Sequence, residues 1–255
     1  MAVVTRSILA LALGAGLLFS GCGKKGPLIP PEALAPAPVT DLAVAQKNGR
    51  FEISWSAPGR EEGGGRLNDL AGFLLFKRVV LPPSEDCEEC PTAYGPPVRI
   101  DLDYLKGVER VDGLFVTRDA DLVKGKSYQY KLRSFNTDGV QSKDSNKVRR
   151  TAATVPFPPV LEALPSQSGV VVAFVSIPPE EGTAEGYRLY RAKEGSPMPR
   201  TPYRTVSAIA NKFEDTEVLI GTRYTYWATS LAKVGNDLLE SAPSNPATAS
   251  MSGRD

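Results

Sequence analysis

The sequence predicts an all-β protein in which one domain occurs twice. Its 255 residues contain several short runs in which apolar and polar side chains alternate, as in a strand with one buried face. Glycine and proline clusters separate these runs, and no long stretch shows helical periodicity. The clearest runs begin at Phe51, Tyr128, Val170 and Tyr224. Many short strands between turns are typical of a sandwich or a barrel.

Three motifs recur in the same order, which indicates two copies of one domain. The matched segments are 72–78 with 186–191, 125–130 with 221–226, and 139–146 with 235–245. Each copy ends on a Ser-Asn pair, and a proline-rich stretch at 151–159 marks the expected boundary between the copies.

The order and spacing of these motifs resemble the fibronectin type III family. The first copy has a proline-led entry, Trp55 on an early strand, a Gly-x-x-Tyr turn before an alternating strand, and the Ser-Asn ending. The resemblance implies two tandem immunoglobulin-like (fibronectin type III) β-sandwiches, each of seven strands. They are expected at residues 38–152 and 155–248, followed by a disordered tail at 249–255.

The same resemblance implies structural roles for four aromatic residues. Tyr128 and Tyr224 are expected to form hydrogen bonds back to the chain ahead of their strands, as tyrosine-corner residues do. Trp55 and, in the second copy, Phe174 are expected in the core.

An apolar run near the N terminus ends at small residues followed by Cys22. Arg6 precedes the run from Ile8 to Phe19, which is too short to cross a bilayer and is typical of a secretory signal peptide. A cysteine directly after the small residues resembles bacterial lipoproteins. This implies a signal peptide at 1–21 and a lipid with palmitate-type chains on Cys22, which anchors the mature protein. Ordinary secretion with a free cysteine is the alternative.

Residues 22–37 are rich in proline and predict an extended, semi-rigid tether, which could hold the first sandwich about 40 Å from a membrane. Lys24 and Lys25 would lie against anionic lipid head groups. Gly23 after the cysteine is similar to lipoproteins sorted to the outer membrane. The expected location is therefore the periplasmic face of that membrane, with exposure on the cell surface as the alternative.

The start of the tether also resembles a second family. Cys22, Lys24, Lys25, Pro27 and Leu28, with their glycines and the prolines that follow, are similar to the start of the small lipoprotein of the lipopolysaccharide-transport translocon. This resemblance implies an alternative function, assembly of an outer-membrane complex through the segment from Cys22 to Pro31. A proline-rich spacer with basic membrane contacts accounts for the same residues.

The amino-acid composition excludes several classes of catalytic and binding site. The chain has no histidine, which removes Ser-His-Asp and Cys-His catalysis and histidine metal sites. Without residues 1–21 the chain has 29 basic and 29 acidic residues. This neutral balance gives no sign of the basic surface that nucleic-acid-binding proteins need. Two Asp-x-Asp pairs, at 101–103 and 119–121, lack the other residues of an EF-hand loop and are expected to be solvated. We predict no enzyme activity, no cofactor and no metal site.

Cys87 and Cys90 form the sharpest local motif. The acidic residues around them disfavour a reactive thiolate, and two cysteines without histidine are too few for zinc. We predict a small disulfide that stiffens a loop. A weak cation site at Glu85, Asp86, Glu88 and Glu89 is the other interpretation.

The first copy contains loop insertions that the second copy lacks, and loops are the expected place for a binding site. Phe73 to Tyr128 spans 55 residues and Tyr187 to Tyr224 only 37, and the excess includes a loop at 81–97. Our candidate partner-binding residues in this loop are Glu88, Glu89 and Tyr94 as an exposed aromatic, although packing of Tyr94 within the loop is the alternative. The other candidates are the insertion at 60–69 and, in the tether, Lys24, Lys25, Pro27 and Leu28. The sequence thus predicts a non-catalytic binding or spacer module for a protein or glycan partner at the cell envelope.

Overall fold

The computed structural model describes residues 30–251. The predicted signal peptide, the lipidation site Cys22, the tether residues Lys24, Lys25, Pro27 and Leu28, and the last four residues of the chain lie outside this range. None of the described helices has the length and apolar character needed to span a bilayer.

The described chain is built from sixteen strands and one short 3₁₀ helix, Pro31–Leu34. The strands are β1 Ala43–Lys47, β2 Arg50–Trp55, β3 Leu70–Val80, β4 Val98–Asp101, β5 Val108–Val111, β6 Leu114–Asp119, β7 Ser127–Asn136, β8 Val148–Thr151, β9 Val160–Pro165, β10 Val170–Val175, β11 Thr183–Lys193, β12 Arg204–Ser207, β13 Lys212–Asp215, β14 Tyr224–Val234, β15 Asp237–Glu240 and β16 Ala247–Ala249.

Each copy forms a sandwich with its own core, so the predicted all-β fold of two tandem sandwiches is confirmed. In the first, β1, β2, β6 and β5 pack against β4, β3, β7 and β8. In the second, β9, β10 and β13 pack against β12, β11, β14 and β16. Each copy has eight strands rather than the expected seven, because β5 and β15 are added.

The core and corner residues occupy their predicted places. Trp55 and Phe174 are buried in the two cores. The Tyr128 hydroxyl accepts a hydrogen bond from the Val123 amide at 2.8 Å, and the Tyr224 hydroxyl accepts one from the Leu219 amide at 3.4 Å. Both tyrosine corners are therefore confirmed.

The repeated Ser-Asn ending ties the last part of each sandwich to its first strand. The Asn146 side chain accepts a hydrogen bond from the Leu42 amide at 2.9 Å and donates one to the Leu42 carbonyl at 2.8 Å. Asn245 makes the same two bonds with Leu161, at 2.9 and 2.8 Å. A carboxamide can satisfy both backbone groups of one residue, which explains why the motif recurs.

The half-buried carboxylate of Asp119 joins the two sheets of the first sandwich. The Tyr130 hydroxyl donates to Asp119 at 2.6 Å, and Lys77 forms an ion pair with Asp119 at 2.6 Å. The prediction that Asp119 is solvated is therefore wrong. The alternation pattern could not reveal this, because the two partners come from the opposite sheet.

The second sandwich repeats this arrangement with Asp215. Tyr226 donates to Asp215 at 2.8 Å, and Arg191 forms an ion pair with it at 2.8 Å. Burial, with the hydrogen bond to Asp215, raises the pKa of Tyr226 above its ordinary value. The tyrosine therefore stays a hydrogen-bond donor at neutral pH.

The end of the predicted tether packs on the first sandwich. The Gly63 amide donates to the Ala33 carbonyl at 2.9 Å, and the Glu62 amide donates to the Ala35 carbonyl at 2.8 Å. A Cβ on Gly63 would lie 2.9 Å from the Ala33 oxygen, so this close approach requires glycine. The described part of the tether is thus held by the 60–69 insertion and differs from the free, extended spacer that the sequence predicted.

We predict that Asp215→Ala lowers the free energy of unfolding of the second sandwich by about 3–5 kcal/mol, because it leaves Arg191 without its buried partner. Urea unfolding followed by tryptophan fluorescence measures this change. Glu214→Ala, on the same strand but exposed, is the matched control and should cost less than about 1 kcal/mol. Equal losses for the two variants would contradict the role of Asp215.

Candidate functional site

The 81–97 loop folds back over the outer face of the sheet formed by β4, β3, β7 and β8. Asp86 makes a two-pronged ion pair with Arg78, with distances of 2.5 and 3.1 Å. The Arg78 Nε donates to Gln129 at 2.7 Å, and Arg78 is only 4% exposed. The hydrogen bond from Arg78 lowers the pKa of Asp86. The loop is therefore held to the sheet by charge-assisted hydrogen bonds.

The two candidate glutamates of this loop differ in their surroundings. Glu88 pairs with Lys147 and lies 3.5 Å from Arg78, and the hydrogen bond from Lys147 lowers the pKa of Glu88. The Glu89 side chain is 89% exposed and touches Lys147 at 3.4 Å. Glu88 is thus engaged within the molecule, whereas Glu89 faces solvent.

Tyr94 is half-buried and is not the exposed aromatic that the sequence predicted. Its ring packs edge-on against Phe76, with centroids 6.4 Å apart, and Lys131 Nζ lies 4.2 Å from its centroid. Burial raises the pKa of the Tyr94 hydroxyl. The Tyr94 side chain holds the loop against the sheet, because its ring makes favourable contacts with the apolar Phe76 and the cationic Lys131.

Cys87 and Cys90 are joined by a disulfide at the tip of this loop. Asp86 and Glu88, two of the four residues of the alternative cation site, are instead paired with Arg78 and Lys147. Within residues 30–251, no group of three or more acidic or cysteine side chains is arranged to hold a metal ion.

A second candidate site lies where the two sandwiches meet. β15 of the second copy runs parallel to β1 of the first, with Leu239 opposite Gln46 and Glu240 opposite Lys47. The Asn48 amide donates to the Glu240 carbonyl at 2.9 Å. One nine-stranded sheet therefore extends through both sandwiches.

Glu240 is the centre of this junction and is 3% exposed. Its carboxylate accepts hydrogen bonds from Tyr190 at 2.7 Å and Thr229 at 2.8 Å. Arg188 pairs with it at 2.5 Å, and Lys47 approaches from the first sandwich at 3.4 Å. Desolvation alone would raise the pKa of Glu240, but the Lys47 charge and the hydrogen bonds outweigh it, so the pKa is lowered.

Further polar contacts hold the junction at separate points. Glu181 of the second sandwich pairs with Lys124 at 2.6 Å and accepts a bond from Thr154 at 2.9 Å. Arg200 pairs with Glu109 at another edge of the first sandwich. Contacts that do not lie along one line resist both bending and rotation between the domains.

A groove of about 560 Å³ lies between the sandwiches. Leu114, Val116 and Met198 give it apolar surface, and its charged lining carries both signs, with Arg118 paired to Glu52 at 3.5 Å. Such a lining can hold a ligand by apolar contact and hydrogen bonds, and domain interfaces are common positions for binding sites. Sequence reasoning missed this groove and the junction, because Glu240 ends a short strand, β15, whose sequence does not reveal its partners on other strands.

Comparison with known proteins gives no family assignment. No protein family matches the chain, and neither does any curated protein. Among solved structures, the FN1–FN3 domains of chicken CNTN1 are 17% identical over 85% of this chain and 68% of that chain, with a TM-score of 0.39. The two fibronectin type III domain segment of chicken tenascin is 16% identical over 84% of this chain and 99% of that chain, with a TM-score of 0.32. The fold assignment therefore rests on the strand pairing described above.

The lowered pKa of Glu240 predicts a pH dependence of stability. A carboxyl group whose pKa is lower in the folded state stabilises the fold above its unfolded pKa of about 4.3 and loses this contribution as the pH falls through the folded value. The stability lost in Glu240→Gln should therefore be largest above about pH 5 and shrink at lower pH. Urea unfolding between about pH 2.5 and 7 measures the difference from wild type.

Glu162→Gln is the control for this experiment, because Glu162 is exposed on β9. Its difference from wild type should stay small and constant across the pH range. A loss for Glu240→Gln that does not change with pH would show that the charge of Glu240 does not stabilise the junction.

Proposed function

We propose that this chain is a lipoprotein of the periplasm, anchored to the outer membrane through Cys22, that binds a protein or glycan partner at the cell envelope without catalysing a reaction. The observation that carries this proposal is the junction. Strand pairing between β1 and β15, with the buried Glu240, fixes one sandwich relative to the other. A rigid pair of domains presents its loops and its groove in a constant arrangement, which lowers the entropic cost of binding.

The described start of the chain supports a short connection to a membrane. Because residues from Ala33 onward are bound to the 60–69 insertion, only the residues before Pro30 are left to bridge the distance. The eight residues from Cys22 to Ile29 reach at most about 28 Å. In this proposal the first sandwich is held close to the lipid surface.

The chemistry of the chain favours binding over catalysis. Without histidine the chain lacks the usual general base of hydrolases. At the junction, Lys47 is paired with Glu240, and under the 81–97 loop Arg78 is paired with Asp86 and Lys147 with Glu88. These ion pairs account for the presence of the charged groups in both regions. At the junction, their role is to fix the surfaces that a partner can recognise.

Fractionation of the producing cells tests the anchor. Cys22→Ser should move the protein from the membrane fraction to the soluble periplasmic fraction, and mass spectrometry of the wild type should find a lipid on Cys22. The double variant Cys87→Ser/Cys90→Ser is the matched control and should remain with the membrane. Wild-type protein in the soluble fraction, or an unmodified Cys22, would refute the lipoprotein proposal.

A further inference from the structure

The outer face of β3 and β7 in the first sandwich is strongly cationic. Its positive side chains are Arg78, Lys131 and Arg133, and Lys147 and Arg149 lie beside them. Asp144 pairs with Lys131 at 2.8 Å and with Arg133 at 2.5 Å. The remaining cations meet carboxylates of the 81–97 loop.

The loop shows which chemistry this face accepts. Asp86 binds the guanidinium of Arg78 with both oxygens, which is the geometry that arginine offers to a carboxylate. Glu88, two residues further on, reaches Lys147 and Arg78. Tyr94 then places its ring on Lys131 and Phe76. Two carboxylates and one aromatic ring therefore fill the face.

The second sandwich uses the corresponding face for docking. By the repeat of 72–78 and 186–191, Tyr190 stands where Phe76 stands in the first copy. In the second copy this face binds the carboxylate of Glu240 and, through it, Lys47 of the other sandwich. The face thus receives a carboxylate in both copies, and in one of them that contact joins two domains.

Side-chain charges rather than strand pairing hold the loop in place. Among the backbone hydrogen bonds found in the described chain for residues 82–96, a single one reaches the sheet, from the Gly95 amide to the Lys77 carbonyl at 3.3 Å. The others close turns within the loop, such as the bond from the Cys90 amide to the Cys87 carbonyl at 3.2 Å. A segment held in this way can leave without breaking the sheet.

We infer that this cationic face is the docking surface for an acidic segment of a partner protein, and that the 81–97 loop occupies the surface until the partner displaces it. The segment carries two carboxylates close together and an aromatic residue, as the loop does. The inference rests on the proposed binding function and names the chemistry of the partner. Release of the loop exposes Arg78, Lys131 and Phe76 together.

The test uses the full mature chain and a synthetic peptide with the sequence of residues 82–95, oxidised between its two cysteines and fluorescently labelled. The variant Asp86→Asn/Glu88→Gln removes the charges that hold the loop but keeps the disulfide. By fluorescence anisotropy, the peptide should bind this variant at least about tenfold more tightly than it binds wild type. Added salt should weaken this binding, because it depends on charge.

Two controls define the surface. Adding Arg78→Met to the variant should weaken peptide binding at least about tenfold, since the two-pronged contact is lost. A peptide in which Asp86, Glu88 and Glu89 are replaced by their amides should not bind. Hydrogen exchange on the wild-type protein gives a second readout, since excess acidic peptide should increase exchange in residues 81–97.

Equal affinity for wild type and variant, with unchanged exchange in the loop, would overturn the inference. So would binding of the neutral peptide, or a preference of the variant for phosphatidylglycerol vesicles over the peptide. All three results leave the fractionation of the Cys22→Ser protein unaffected, so this inference and the proposed function can fail separately.

Discussion

The junction depends on one buried carboxylate. A charged glutamate that is removed from water must be surrounded by donors, because an unpaired buried charge costs several kcal/mol. Glu240 obtains these donors from Tyr190, Thr229 and Arg188 of its own sandwich and from Lys47 of the other. The fourth partner exists only when β15 lies beside β1, so the solvation of one side chain and the arrangement of two domains are linked.

The first strand of the second sandwich differs from that of the first at a residue that pairs across the junction. The shared contacts of Asn146 with Leu42 and of Asn245 with Leu161 align the first strands of the two copies, and this alignment places Pro165 where the first copy has Gln46. Gln46 pairs opposite Leu239, and its side chain also binds the backbone of Ala153 at 2.8 and 3.0 Å. Proline has no amide hydrogen and protects a strand edge from further pairing.

Local patterns in the sequence were enough to predict an all-β chain with a repeated domain. The resemblance to the fibronectin type III family then implied the two sandwiches, the buried positions of Trp55 and Phe174, and both tyrosine corners. The sites were harder to predict, since an acidic residue in a strand pattern looks solvated until its distant partner is known. Asp119 has its partners in the facing sheet, and Tyr94 was misjudged because the loop composition does not reveal the cationic face beneath it.

The distance between the two sandwiches in solution tests the central claim most directly. Spin labels on Asp138→Cys and Ile209→Cys, two exposed turn positions in different sandwiches, report this distance by pulsed electron resonance in a Cys22→Ser background. We expect one narrow distance distribution for this protein. After the double substitution Lys47→Met/Glu181→Ala, which removes two of the junction contacts, we expect a broad distribution. A broad distribution before those substitutions would show that the sandwiches move independently and that the junction does not hold them.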